Sequence, residues 1–114
     1  MEIRLIVIRT NDPKQLADFY SLLGLTFDYH KHANSPMHYS TTIGSLVLEI
    51  YPLAKNQTEV DKNLRLGFAI DNFEETLNLL KSNDIIFSAP TATDFGFLTI
   101  ISDPDGRKVE IYKK

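Results

Sequence analysis

The sequence predicts an α+β fold made of two tandem βαβββ modules, and two observations support this. First, the strand and helix patterns follow one another in the order βαβββ, linker, βαβββ. Second, Leu48–Tyr51 reads LEIY, and Val109–Tyr112, about 60 residues further along, reads VEIY. Residues 1–52 therefore form module one, 53–63 a polar linker and 64–114 module two. Each module is too short to bury a sheet face alone, so we expect the two to pack together or to exchange with a second chain.

Module one begins with an apolar, β-branched strand from Ile3 to Thr10. A helix follows, because Asn11 or Asp12 can cap it and Pro13 suits its first turn. Apolar residues then recur at helical spacing up to Gly24, which predicts the end of the helix. Three more strands complete the module, over Leu25–His30, Met37–Ile43 and Ser45–Tyr51.

Module two repeats this pattern after the linker. Its first strand spans Leu64–Asp71, and Asn72 can cap a helix over Phe73–Ser82. The segment Asp103–Gly106 (DPDG) is a strong turn signal before the last strand. The remaining predicted elements are a short strand over Ile85–Ser88, a loop over 89–95, and strands over Gly96–Ser102 and Arg107–Tyr112.

Length, charge and composition narrow the function classes. The chain has 114 residues, 43% of them hydrophobic and 24% charged, which fits one globular domain. Its net charge of −3 and its lack of a Lys/Arg cluster argue against nucleic acid or an anionic membrane as a partner. Without cysteine, it has no disulfides, thiolate metal sites or cysteine nucleophiles. The sequence shows neither a signal peptide nor an apolar run of ~20 residues, so we expect a cytoplasmic protein.

Several segments of the chain resemble one known family. The first strand and helix are matched by Arg4–Asp12, Ala17–Tyr20 and Leu23–Leu25. Val47–Tyr51 matches the fourth strand, and Asp103–Ile111 matches the closing turn and strand. In these segments the chain is similar to the vicinal-oxygen-chelate superfamily of glyoxalases, bleomycin resistance proteins and extradiol dioxygenases. The resemblance implies one glyoxalase-like domain over residues 1–114, an open, U-shaped mixed sheet with the helices on its convex side, and a homodimer.

Metal-dependent members of that family hold an ion with four residues, one each from the first, fourth, fifth and eighth strands. Carried over by position, Glu49 and Glu110 match two of the four. Leu5 (or Arg4, one residue earlier) and Arg65 stand at the other two, and neither leucine nor an arginine guanidinium binds a metal. The resemblance therefore implies that this chain has no metal and no other cofactor. Two carboxylates with water can hold Mg²⁺ or Mn²⁺, but the positive charge of Arg65 opposes this alternative.

Strand alternation indicates what replaces the metal. It places Arg65, Glu49 and Glu110 on the concave face of the sheet, with Leu5 and Tyr51 beside them. We expect Arg65 to pair with Glu49, with Glu110 or with both. If such a pair is buried, breaking it costs about 3–5 kcal/mol. The alternative is that both glutamates are solvated at the mouth of the cavity.

The three histidines lie in and beside the segment that joins the second and third strands. Because such loops often carry binding groups, His38 can serve as an acid or a base near neutral pH. A lone strand histidine is more often structural, and this alternative stays open for His38. We expect His30 and His32 at the surface, away from the ligand positions that the resemblance implies.

Three functions stay open on the sequence alone. The first is a metal-free protein that binds a small molecule of unknown identity in the concave cavity. Its ligand-binding residues are Arg65, Glu49, Glu110, His38, Tyr51 and Leu5. The second is a lyase or isomerase whose catalytic base is Glu110 or Glu49, with or without a weakly held divalent metal, and whose Arg65 steadies an enolate-like charge. The third is an interaction module whose cavity is vestigial.

Overall fold

The computed structural model describes all residues from 1 to 114. It contains two helices and eight strands, and the predicted βαβββ repeat is confirmed. The first half consists of β1 (Leu5–Thr10), α1 (Pro13–Ser21), β2 (Asp28–His30), β3 (His38–Ile43) and β4 (Leu46–Pro52). The second half consists of β5 (Leu66–Ile70), α2 (Phe73–Ser82), β6 (Thr91–Thr93), β7 (Gly96–Ser102) and β8 (Lys108–Lys113).

Each half forms its own four-stranded mixed sheet, and the two sheets have the same topology. The strand order is β1-β4-β3-β2 in the first sheet and β5-β8-β7-β6 in the second. In both sheets the first strand of the module runs parallel to its last strand, and the other neighbours are antiparallel. Two compact units result, one of residues 1–21 and 25–61, the other of residues 22–24 and 62–114. Most of the predicted linker therefore belongs to the first unit.

Alternation along the strands gives each sheet a buried face and an open face. Buried apolar side chains form the core of the first unit: Ile8, Leu16, Tyr20, Leu48 and Ile50. Their counterparts in the second unit are Phe73, Leu80, Ile101, Val109 and Ile111. Because neighbouring residues of a strand point to opposite faces, Glu49 and Tyr51 lie on the open face of the first sheet. Glu110 and Tyr112 occupy the same places on the open face of the second sheet.

Some strand predictions are wrong in the shorter elements. The segment 85–88, predicted as a strand, is irregular, and β6 lies inside the predicted loop 89–95. The hydroxyl of Ser88 accepts the backbone N–H of Ile100 at 3.0 Å, where a regular strand would offer its carbonyl. The second strand is also shorter than predicted, since it covers only Asp28–His30.

The two helices begin in different ways. The side chain of Asp12 accepts the backbone N–H of Gln15 at 3.1 Å, so the predicted cap of α1 is confirmed. Asn72 makes no such hydrogen bond before α2, and two acidic residues, Glu74 and Glu75, lie in the first turn of that helix instead. Neither helix has the length and apolar character that crossing a membrane requires.

Candidate functional site

The open face of the first sheet carries a row of polar and aromatic side chains. Arg9 of β1 lies opposite Tyr51 of β4 in the strand register, and His30 of β2 lies opposite His38 of β3. The rings of His38 and Tyr51 stack, with centroids 4.1 Å apart and planes 10° apart. The guanidinium carbon of Arg9 lies 5.0 Å from the centroid of the Tyr51 ring, within the range of a cation–π contact. The row therefore crosses all four strands of the sheet.

Glu49 lies beside this row and faces the histidines. Its Oε2 atom is 3.2 Å from Nε2 of His38 and 3.9 Å from Nε2 of His32. The ring of His30 meets that of His38 edge-on, with centroids 4.8 Å apart. One ligand atom from each of these four residues lies within 4.8 Å of the others. Since His38 and Glu49 are buried whereas His32 is exposed, the cluster has a buried floor and an open rim.

A backbone carbonyl fixes the orientation of the His38 ring. Nδ1 of His38 lies 2.9 Å from the carbonyl oxygen of Pro36. Because a carbonyl oxygen only accepts hydrogen bonds, Nδ1 carries the ring proton and donates a hydrogen bond to it. The other ring nitrogen, Nε2, then faces Glu49. Nε2 makes no hydrogen bond although it is buried, and the same is true of Nε2 of His30.

The second sheet surrounds its matching carboxylate differently. Arg65 donates a hydrogen bond to Oε2 of Glu110 at 2.5 Å, and the hydroxyl of Tyr112 donates one to Oε1 at 2.5 Å. The hydrogen bond to Glu110 is the main cause that raises the pKa of Tyr112 above its ordinary value, because the carboxylate favours the protonated phenol. Both oxygens of Glu110 are therefore occupied within the second unit.

A buried ion cluster holds the turn between β7 and β8. The guanidinium of Arg107 is 1% exposed and lies 3.2 Å from Oδ2 of Asp103 and 2.9 Å from Oδ2 of Asp105. Burial disfavours the charge on Arg107, but the hydrogen bond from Arg107 to Asp105 and the charge of Asp103 outweigh it, so its pKa is raised. The DPDG turn predicted from the sequence is thus tied to the next residue by charge as well as by backbone bonds.

Two expectations for the site are corrected by these positions. Arg65 pairs with Glu110, but its side chain is 56% exposed and it precedes β5, so the buried-pair cost of about 3–5 kcal/mol does not apply. An exposed ion pair contributes only ~0–1 kcal/mol. His30, expected at the surface, is half-buried because β2 pairs with β3 and brings its ring against His38. His32 is exposed as expected, and Leu5 is also exposed.

The four strand positions that the resemblance assigns to a metal do not fit one here. Leu5 has no donor atom, and Arg65 carries a positive charge. The carboxylate of Glu110 already accepts hydrogen bonds at both oxygens. Only Glu49 keeps the character of a ligand, and its neighbours are the histidines that the family positions do not include.

The histidine cluster is the feature that the sequence reasoning missed. His30 and His38 flank one turn, and residues at the two ends of a turn between antiparallel strands face each other across the sheet. Glu49 occupies the same face of the neighbouring strand, where it lies opposite Ser40. The spacing of the histidines was therefore the available signal, but it becomes a cluster only once the strand register is known.

Comparison with known proteins identifies the family of this chain and solved structures that share its fold. The chain matches the family model of the Glyoxalase/Bleomycin resistance protein/Dioxygenase superfamily over residues 2–111. No curated protein matches the sequence.

Three solved structures illustrate the shared fold. The oxidase ChaP-H2 has a TM-score of 0.81 at 14% identity, with 100% of this chain and 94% of that chain covered. TnmS3, an antibiotic binding protein from a Streptomyces species, has a TM-score of 0.77 at 17% identity, with coverages of 99% and 95%. A glyoxalase family protein from Enterococcus faecalis has a TM-score of 0.68 at 24% identity, with coverages of 98% and 97%. At these identities the similarity establishes a common fold.

Proposed function

We propose that this chain, which belongs to the glyoxalase/bleomycin resistance protein/dioxygenase superfamily, binds a small planar organic molecule on the open face of its first sheet. The observation that carries the proposal is the row formed by Arg9, Tyr51 and His38, with the carboxylate of Glu49 beside it. We expect this binding to occur without a four-ligand metal centre of the family type, because Leu5 and Arg65 occupy two of its positions.

The chemistry of this face suggests which molecules bind. Tyr51 is half-buried and offers part of its ring for an aromatic contact, while the buried ring of His38 supports it from the other side. Arg9 offers a cation for an anionic or carbonyl substituent. TnmS3, whose fold this chain shares, is described as an antibiotic binding protein. Planar antibiotics therefore belong in the first set of ligands to try.

A ligand screen with matched tyrosine variants tests this proposal. Thermal shift and calorimetry with bleomycin and with anthraquinone-2-sulfonate, a planar aromatic anion, are done in EDTA so that metals play no part. We expect binding by at least one compound and a loss of ~10-fold or more in affinity, about 1.4 kcal/mol, on Tyr51→Leu. Tyr112→Leu, at the matching place of module two, keeps the affinity. Absence of binding, or an equal loss in both variants, would contradict the proposal.

A lyase or isomerase is the second candidate, supported by the contact between His38 and Glu49. A buried carboxylate 3.2 Å from an imidazole is a suitable general base for removing a proton next to a carbonyl. Glu110 suits this role less, because Arg65 and Tyr112 bind its two oxygens. Proton–deuterium exchange at the acidic C–H groups of dicarbonyl compounds, followed by NMR, tests the idea. Exchange that Glu49→Gln abolishes and Glu110→Gln keeps supports it, and wild-type protein that catalyses no exchange refutes it.

The standard metal-dependent glyoxalase reaction is not expected. The hemithioacetal of methylglyoxal and glutathione should stay unconverted with or without added Ni²⁺ or Zn²⁺, since Leu5 and Arg65 stand where two ligands are needed. Conversion above the uncatalysed rate would show that this part of the proposal is wrong.

We also propose a homodimer that buries the exposed apolar side chains of β1. This strand lies at the edge of the first sheet, and Ile3, Leu5 and Val7 on or beside it are 68%, 55% and 38% exposed. Exposed apolar side chains along a sheet edge are typical of an association surface. Light scattering should give twice the mass of one chain for the wild-type protein. The double variant Leu5→Lys/Val7→Lys should give the mass of a single chain. Wild-type protein that is monomeric at every concentration would refute the dimer.

A further inference from the structure

All three histidines of the chain converge on Glu49, and we propose that these four residues bind one divalent transition-metal ion. His30 lies on β2, His32 on the following segment, His38 on β3 and Glu49 on β4, so one unit supplies every ligand. Apart from Glu49, this set shares no residue with the positions that the family uses for its metal. The site therefore differs from the family site in three of its four ligands, which come from β2, β3 and the segment between them.

Two buried nitrogen atoms without hydrogen-bond partners point to a missing ligand. Nε2 of His38 and Nε2 of His30 are both buried and unpartnered, although such atoms are almost always satisfied in folded proteins. The side chain of His38 is 0% exposed, so bulk solvent does not reach this nitrogen. An atom that sits between these nitrogens and the carboxylate would satisfy both.

The tautomer of His38 indicates that the missing partner is positively charged. Since Nδ1 donates to the carbonyl of Pro36, the neutral ring presents a lone pair at Nε2. This lone pair faces the carboxylate oxygen of Glu49 at 3.2 Å, and two acceptors at that distance repel each other unless a cation lies between them. A metal ion or a proton meets this demand. The hydrogen bond from a ring N–H to a backbone carbonyl is also the usual support of a metal-binding histidine.

The separation between His38 and Glu49 matches that of two ligands on one metal ion, and the four ligand atoms, all within 4.8 Å of one another, must draw closer to bind it. Two ligand atoms bound to one tetrahedral zinc ion at about 2.0–2.1 Å lie about 3.3 Å apart. The separation between His38 and Glu49 is 3.2 Å, whereas that between His32 and Glu49 is 3.9 Å. Because the side chain of His32 is 67% exposed on a loop, it is free to close this gap and leaves a path for the ion to enter.

The ligand types select the class of ion. Three imidazoles and one carboxylate suit zinc, cobalt or nickel, whereas magnesium and calcium prefer sites made of oxygen ligands only. We therefore expect Zn²⁺ to bind and Mg²⁺ not to compete with it.

A metal titration of untagged protein, stripped with EDTA and dialysed, tests the site. Calorimetry with Zn²⁺ should give one ion per chain, and Co²⁺ should give the visible absorption bands of a low-coordinate site. His32→Ala and Glu49→Gln should each weaken Zn²⁺ binding by at least ~10-fold, because even the loss of a residue that only supports a metal ligand lowers metal affinity by about 10–100-fold. His32 is exposed, so its replacement should leave the fold intact. Glu110→Gln is the matched control and should leave the affinity unchanged.

Imidazole ¹⁵N spectra add a readout that does not depend on affinity. On zinc binding, the Nε2 signals of His30 and His38 should shift, while Nδ1 of His38 keeps its proton. Absence of saturable binding would overturn the proposal and show that a proton, not a metal, links His38 and Glu49. Binding that His32→Ala and Glu49→Gln both leave unchanged would also overturn it and show an adventitious metal only. The titration uses no organic molecule and the ligand screen uses EDTA, so either proposal can fail without the other.

Discussion

Glu49 and Glu110 occupy matching places in two sheets of the same topology, yet their surroundings differ. Glu49 lies opposite Val7 of the parallel neighbouring strand, and Glu110 lies opposite Gly67. Two imidazoles face the carboxylate of Glu49, whereas the guanidinium of Arg65 binds the carboxylate of Glu110. Module two thus neutralises its carboxylate with its own side chains, and module one leaves its carboxylate beside nitrogen atoms that have no other partner.

The tyrosine two residues after each glutamate shows the same difference. The hydroxyl of Tyr112 bonds to Glu110, and its ring lies so close to Gly67 that a Cβ there would be 3.1 Å from a ring carbon. Tyr51 instead stacks on His38. At the place that matches His38, the second sheet has Leu98, which lies opposite Tyr112. The duplicated frame therefore carries a closed ion pair in one module and an open, histidine-lined site in the other.

The largest effect is expected where module two buries charge. Arg107→Met removes a guanidinium that is 1% exposed and leaves the buried carboxylate of Asp103 without it. Removing one partner of a buried ion pair typically costs about 3–5 kcal/mol, and we expect the free energy of unfolding in urea to fall by that amount. Arg65→Met is the control, because its pair with Glu110 is exposed and contributes ~0–1 kcal/mol. Equal losses in the two variants would show that burial does not distinguish these pairs.

A smaller effect should separate the two tyrosines. Tyr51→Leu removes a stacked ring pair with His38 and the cation–π contact of Arg9, which together contribute about 1–2 kcal/mol. Tyr112→Leu removes a ring that borders glycine and one hydrogen bond to Glu110, which keeps its pair with Arg65, so we expect a smaller loss of stability. Urea unfolding in EDTA measures both. If Tyr112→Leu costs more, the stack across the first sheet is not the stronger arrangement.

The contrast between the modules was only partly predictable from the sequence. The repeat of LEIY as VEIY predicts the shared topology, because strand alternation is local and both strands carry the same pattern. The pairing of Arg65 with Glu110 was among the predicted alternatives, although its exposure was not.

The histidine cluster was beyond sequence reasoning for a physical reason. Whether His30 and His38 face each other depends on the register across the turn between them, and a shift of one residue would send one ring to the other face. The burial of Arg107 likewise depends on the fold around the turn and not on the DPDG motif itself. Local sequence patterns thus predict the helices and strands, while the side chains that meet on each open face depend on the pairing between strands.

Copying the valine of module one into module two tests whether glycine permits the Tyr112–Glu110 bond. In Gly67→Val, the new side chain meets the ring of Tyr112, which must move away from its present place. Because position 67 is exposed, the free energy of unfolding should change by no more than about 0.5 kcal/mol. The pKa of Tyr112 should fall toward its ordinary value as the hydrogen bond weakens. An unchanged pKa of Tyr112 would show that its ring keeps its bond to Glu110 without the glycine.

The smallest effect is electrostatic and resolves the separate contributions of Glu110 and Arg65. The hydrogen bond to Glu110 raises the pKa of Tyr112, whereas the charge of Arg65 lowers it. Glu110→Gln should therefore lower the pKa of Tyr112, and Arg65→Leu should raise it further, because the first change removes the carboxylate and the second removes a cation that favours the phenolate. An NMR titration that follows the ring resonances of Tyr112 measures both shifts. If the two variants shift the pKa in the same direction, Arg65 acts mainly by positioning Glu110, and the closed arrangement of module two is a hydrogen-bonded triad in which no member can be changed independently.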